Sequence, residues 1–185
     1  LALARALNNL AATYDLLGEH ELAMKHYMDC LTLRRELNDR VGTAYTLRNM
    51  AGLLTDQKRY AEAHMMFQEA LQRLRAIGEK LSIANVLQGM GELAHRRQRY
   101  DDARAALLES LALCREANIT GGIRFALRSL AELAVDEGKL AAAYDYQRQL
   151  IATTKLTDVI HWRADALMIA ARIAEAENRP ARAAE

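Results

Sequence analysis

Proline is almost missing from this chain of 185 residues, which has only Pro180, and glycine is sparse at nine. So few turn formers leave little room for short strands joined by tight turns, and strand content is expected to be near zero. Cysteine is scarce too. Cys30 and Cys114 lie far apart and form no CxxC or other ligand spacing, so no metal site is indicated and both read as reduced thiols of a cytoplasmic protein. A charge of one sign is also lacking, since 25 basic residues face 24 acidic ones for a net +1. No large field is then available to condense on phosphate or an anionic membrane, which argues against direct nucleic-acid or membrane partners. No stretch approaches the roughly 18 apolar residues of a membrane span, and no basic-then-apolar leader opens the chain, so the segment reads as soluble. It starts at Leu1 and stops inside a repeat, which reads as a piece of something longer.

What is present is repetition. About half of the residues are apolar, and Ala, Leu, Arg and Glu dominate, a composition that favours helix. Leu7, Leu47, Leu87, Leu127 and Leu167 recur at every fortieth residue, as do Ala23, Ala63, Ala103, Ala143 and Ala183. A period of this size marks stacked helical hairpins rather than one closed core. The units run over about 1–38, 39–78, 79–118 and 119–157, with an incomplete 158–185. They read as one array over 1–185.

Within the first unit Leu3, Leu7, Leu10, Ala11, Tyr14 and Leu17 step by three and four along one stripe of a first helix. Gly18-Glu19-His20 is short enough to turn the chain straight back. The second helix carries Leu22, Ala23, Tyr27, Cys30, Leu31 and Leu37 on its inner face. Later units repeat the pattern, with turns at Gln57-Lys58-Arg59, Gly138 and Asn178-Arg179. Ile77, Leu150 and Ile151 are placed on inner faces, and Ala166, Leu167, Ala170, Ala171 and Ala174 open the fifth unit. Unit four has the polar Gln147 where its predecessors have Tyr27, Phe67 and Leu107. Asp39, Thr120 and Asp158 are the expected helix caps, and Pro180 suits the first position of a helix.

The spacing Leu7, Leu10, Ala11, Tyr14, Gly18, Ala23, Tyr27, Cys30 resembles the tetratricopeptide repeat, with Leu54 and Ala94 replacing the first aromatic in units two and three. Arg35, Arg75, Arg115 and Lys155 stand where that repeat has its closing proline, so the second helix can run on and long helices are expected. Repeats of forty residues look like those of kinesin light chains, of peptide-sensing bacterial regulators, and of C-terminal arrays on bacterial transcription regulators and signalling ATPases. Twenty arginines against five lysines tilt the comparison to bacteria. The resemblance implies an all-α, right-handed superhelical solenoid of antiparallel hairpins, about four and a half repeats long.

It further implies that the first helix of each pair lines a concave groove. The groove positions are then Arg5, Asn8, Asn9, Ala12 and Asp15 in unit one, and Tyr45, Arg48, Asn49, Gly52 and Thr55 in unit two. Unit three adds Asn85, Gln88, Gly89, Glu92 and His95, and unit four Phe125, Arg128, Ser129, Glu132 and Val135. Asn9 and Asn49 could donate to and accept from the main chain of an extended peptide, and Arg48 and Arg128 could pair with a carboxylate. Solvated faces with local bonds would also account for any one of these residues. The two-carboxylate clamp of chaperone-binding relatives is not reproduced, because Asn8 and Ala12 occupy its places.

Other signals have plainer explanations. Gly89-Met90-Gly91 falls inside a helix, with Gly91 in a small-residue packing slot, so it is no phosphate loop. His26 and Cys30 sit one turn apart with no further ligands and read as packing. His95-Arg96-Arg97-Gln98-Arg99 spans a turn and reads as solvated charge. Trp162 replaces Ala2, Gly42, Ser82 and Gly122 and either fills a gap or anchors a partner. No nucleophile, base and orienter stand outside the repeat pattern, so no enzyme and no cofactor is expected. The expected function is a protein- or peptide-binding scaffold serving a larger bacterial regulator. The alternatives are self-association through the incomplete last repeat, and a small-molecule sensor with a pocket near Tyr45, Phe125 or Trp162.

Overall fold

The computed structural model describes residues 1–153 and 167–177. Lys155, Asp158, Trp162, Ala166, Asn178, Arg179, Pro180 and Ala183 lie outside the described residues. Eight α-helices follow one another: α1 (Ala2–Leu16), α2 (His20–Glu36), α3 (Arg40–Asp56), α4 (Tyr60–Ile77), α5 (Lys80–Arg96), α6 (Tyr100–Glu116), α7 (Thr120–Asp136) and α8 (Leu140–Ala152). Residues 167–177 are helical as well, and no strand occurs among the described residues. This is an all-α repeat solenoid of antiparallel helix pairs. Most helices run 17 residues, some four and a half turns, as expected once the interrupting proline is gone.

The turns show why so little glycine suffices. One residue in each connection takes a left-handed conformation, and it recurs every twenty residues: Gly18, Asn38, Lys58, Gly78, Gln98, Asn118 and Gly138. The next residue's N–H then reaches back five positions, as in Glu19 to the Tyr14 carbonyl (2.9 Å), Arg59 to Leu54 (2.8 Å) and Ile119 to Cys114 (2.8 Å). This is the Schellman closure, which satisfies helix-end carbonyls without a side chain. The turn inside a hairpin and the turn between hairpins are therefore the same device. Lys58 (φ 62°) and Gln98 (φ 57°) adopt a conformation that costs a side-chain-bearing residue about 1 kcal/mol.

Packing divides the chain into two compact units, Leu1–Leu93 and Ala94–Glu185, each described by itself. In the first, α1 packs on α2, α2 on α3 and α3 on α4. Ala23 and Ala63 are fully buried, as are Ala11 and Ala51. In the second, α6 packs on α7 and α7 on α8. Its core joins Ala103, Leu107, Leu127, Leu130, Ala131 and Ala143 to Ile169 and Ile173.

Several apolar positions expected inside are exposed. Leu3 is 62% exposed, although its register equivalents Thr43 (2%) and Ile83 (7%) are buried, and Leu10 and Leu17 follow it. The reason is the neighbour: α3 lies against both α2 and α4, whereas α1 has α2 and only grazes α3. Leu22, Leu37, Ile77 and Ile151 are exposed at or near helix ends. In the fifth unit Leu167 is 68% exposed and Ala171 and Ala174 are exposed too, while Ile169 and Ile173 turn inward. That face joins the core of the hairpin before it.

Of the expected caps, Asp39 accepts the Gly42 N–H at 2.8 Å. A Cβ on Gly42 would lie 2.0 Å from the Asp39 carboxylate, so the cap needs glycine there. Thr120 does not cap. The Schellman closure of α6 leaves Ile119 in the capping place, and Thr120 opens α7 as its first helical residue.

Candidate functional site

In the first unit α1, α3 and α5 bring their inner stripes together around a groove of about 380 Å³. Asn8, Asn9, Ala12 and Asp15 come from α1, spaced so that all four share one face. Tyr45, Arg48, Asn49, Gly52, Thr55 and Asp56 come from α3, and Gly89 and Glu92 from α5. Tyr27 of α2 and Phe67 of α4 reach the same space from the second helices.

A hydrogen-bonded relay runs along its wall. Arg48 Nη1 donates to Asn49 Oδ1 (3.1 Å), and Asn49 Nδ2 donates to Asn8 Oδ1 (3.3 Å). The guanidinium thereby fixes which end of the Asn49 amide faces Asn8. One N–H and one lone pair of that amide stay available, along with the Asn8 amino group. Side chains locked in this way present a ligand with groups that need not reorganise.

The floor is aromatic. Phe67 fits only because residue 89 is glycine, since a Cβ there would come within 2.5 Å of the ring. Tyr27 is only 2% exposed. Burial, and then the Asp15 carboxylate, push its hydroxyl up to about 12 from 10.0, so it remains protonated near neutrality. Tyr45 is exposed, with the Arg34 guanidinium 5.8 Å from its ring centroid. Arg34 is itself buried, donating to the Gly42 carbonyl and lying 3.9 Å from Asp39.

Of the residues read as groove contacts, the structure gathers Asn8, Asn9, Tyr45, Arg48, Asn49 and Glu92 in one place. Arg5 is exposed, Asn85 half-buried and Gln88 buried, and none of the three lines the groove. Phe125, Arg128 and Glu132 belong to the second unit and are half-buried there, with the Arg128 guanidinium 5.4 Å from the Phe125 centroid. Sequence reasoning placed Tyr27 and Phe67 in the core and did not assign them to the groove. The signal was in the register: both precede a short or absent side chain, Asn49 and Gly89, on the following first helix.

Elsewhere the polar groups serve packing. His26 stacks on Tyr14 with centroids 5.4 Å apart, and the Cys30 thiol donates to the Ala4 carbonyl at 3.1 Å. In the second unit Asp136 binds His95 (2.8 Å) and Arg172 (2.6 Å). Arg104, and then Lys139, hold the nearly buried Glu137 carboxyl below its usual range.

The tetratricopeptide repeat profile matches residues 2–76 and 40–116, in register with these hairpins. The chain belongs to the tetratricopeptide repeat family. No curated protein sequence matches it at a significant level. Among solved structures it is similar to BtubC (BKLC) from P. vanneervenii, 18% identical with a TM-score of 0.72, covering 86% of this chain and 66% of that one. It also resembles a Rap protein complexed with competence and sporulation factor, 21% identical with a TM-score of 0.76, covering 81% of this chain and 42% of that one. The TPR-like repeats of a Podosopora anserina chain assigned to the kinesin light chains are 10% identical, with a TM-score of 0.69 and 95% of both chains covered. The repeat array thus spans less than two thirds of the first two relatives. At these identities the likeness concerns the fold. Among the described residues, no helix of the array is long and apolar enough to cross a membrane.

Proposed function

We propose that this tetratricopeptide array is a non-catalytic scaffold that holds an extended segment of protein or peptide. In this reading it is the sensor or interaction region of a larger bacterial regulator, acting in the cytoplasm, with neither nucleic acid nor membrane as direct partner. The observation that carries the reading is the Arg48–Asn49–Asn8 relay, which presents fixed amide groups over an aromatic floor. Amides read the main chain of a peptide whatever its sequence, and amides, carboxylates, a guanidinium and a protonated phenol are suited to holding a ligand rather than transforming it. The likeness to a Rap protein complexed with a factor supports the same reading.

Peptides selected on the chain from a displayed random library test it. Their affinity should fall about tenfold or more in Asn49→Leu, because a desolvated amide partner is lost. Capture of no peptide, or equal affinity for both proteins, would end this proposal.

A further inference from the structure

Two arginines with the same place in the repeat behave differently. In the second compact unit the Arg128 guanidinium lies against the Phe125 ring, 5.4 Å from its centroid. In the first, Arg48 and Tyr45 hold the equivalent places, but the ring is engaged by Arg34, 5.8 Å from its centroid. Arg34 is buried and held by the Gly42 carbonyl. Its equivalent in the second unit is Cys114, which offers no cation to compete for the ring. With Tyr45 already engaged, Arg48 turns to its own neighbour and donates to Asn49 Oδ1, while Asn49 Nδ2 donates to Asn8 Oδ1. Asn8 is buried and lines the groove with the other two.

We infer that Arg48 is a positioning residue, which acts on a bound peptide through Asn49 instead of pairing with a ligand carboxylate, and so sets the direction in which the peptide runs. The inference rests on the peptide-binding reading above and deepens it. A side-chain amide that exchanges one N–H and one carbonyl bond with an extended main chain meets those two groups in a fixed order. Reversing the peptide swaps the order, so an amide free to turn end over end would accept either sense. The Asn49 and Asn8 amides alone could turn together and keep their mutual bond, because each both donates and accepts. A guanidinium only donates. It therefore holds Asn49 Oδ1 on its own side and Nδ2 toward Asn8, and turning the pair would set donor against donor.

Peptides selected from the displayed random library on the intact chain are the probes. With a spin label at the N terminus, each should broaden amide resonances at the same side of the groove, either around Asn9 on α1 or around Glu92 on α5. A label at the C terminus should broaden those at the other side. Arg48→Met should weaken binding about tenfold, equally at low and high salt, and admit both directions. Arg48→Lys keeps an N–H donor and should restore affinity to within about threefold, with a single direction. In the Asn49→Leu chain the further change Arg48→Met should cost less than about twofold, because the two residues act as one. Selected peptides running both ways on the unaltered chain would overturn the inference whatever the variants do. So would an Arg48→Met loss that persists in Asn49→Leu and shrinks with salt, as a direct ion pair with the ligand would give. Either result leaves the scaffold reading intact, whereas failure to select any peptide would remove both.

Discussion

The two compact units follow the same packing rule and finish their inner faces differently. In the first, Tyr27 and Phe67 lie beneath Asn49 and Gly89, and a polar groove stays open. In the second, Leu107 stands in place of the aromatic ring with Ser129 on the following first helix, and the next equivalent of Asn9 and Asn49 is the buried Ile169. The alanines and leucines that make the hairpin pack are common to both units. What varies is one pair of positions, a large side chain on a second helix and a small or short one on the next first helix. The fold is therefore carried by the invariant positions and the site by the exchangeable pair.

The largest expected effect should not distinguish the units at all. Ala63→Arg in the first and Ala103→Glu in the second both force a charged side chain into a fully buried helix crossing, and each should cost at least about 3 kcal/mol in urea unfolding. Charge changes on outer faces should stay within about 0.5 kcal/mol. A much smaller cost in one unit would mean that its crossing is looser.

Next in size is Gly89→Leu, which would put a side chain where Phe67 now lies. It should cost about 1 to 3 kcal/mol and abolish peptide capture by filling the groove, whereas Ser129→Ala in the second unit should leave capture unchanged. Smaller, and of opposite sign, are Lys58→Gly and Gln98→Gly. Each relieves a left-handed residue with a side chain and should gain up to about 1 kcal/mol, alike in both units, measured by thermal unfolding.

The smallest effect concerns pH. Tyr27 ionises more readily unfolded, near 10.0, than folded, at about 12. Its contribution to stability is whole below pH 10, declines as pH rises and is gone beyond the folded value. Tyr27→Phe should flatten that part of the alkaline stability profile, and an unchanged slope would place the hydroxyl in water.

Much of this was legible in the sequence, for a definite reason. Recurrent Ala23, Ala63 and Ala103 and the forty-residue period are local signals, because helix periodicity and close crossings act through residues near in the chain. The clustering of Asn8, Asn9, Tyr45, Arg48 and Asn49 in one groove also agrees with the register. Less legible was which apolar residues lose their neighbours. Leu3 and Leu10 occupy the register positions of the buried Thr43 and Met50, yet they are exposed because α1 packs on fewer helices than α3 does. Nor could spacing show that Tyr27 and Phe67 form a floor, since a buried aromatic reads alike whether its edge meets hydrocarbon or a groove.

By itself the sequence determined a helical pair every forty residues and its crossing points, because these depend on interactions within about one turn and on side-chain size. Only the tertiary structure decided which amide Arg48 steers and that Tyr27 and Phe67 reach the groove. Those outcomes depend on side chains from different helices arriving at one point, and no local pattern encodes their distances.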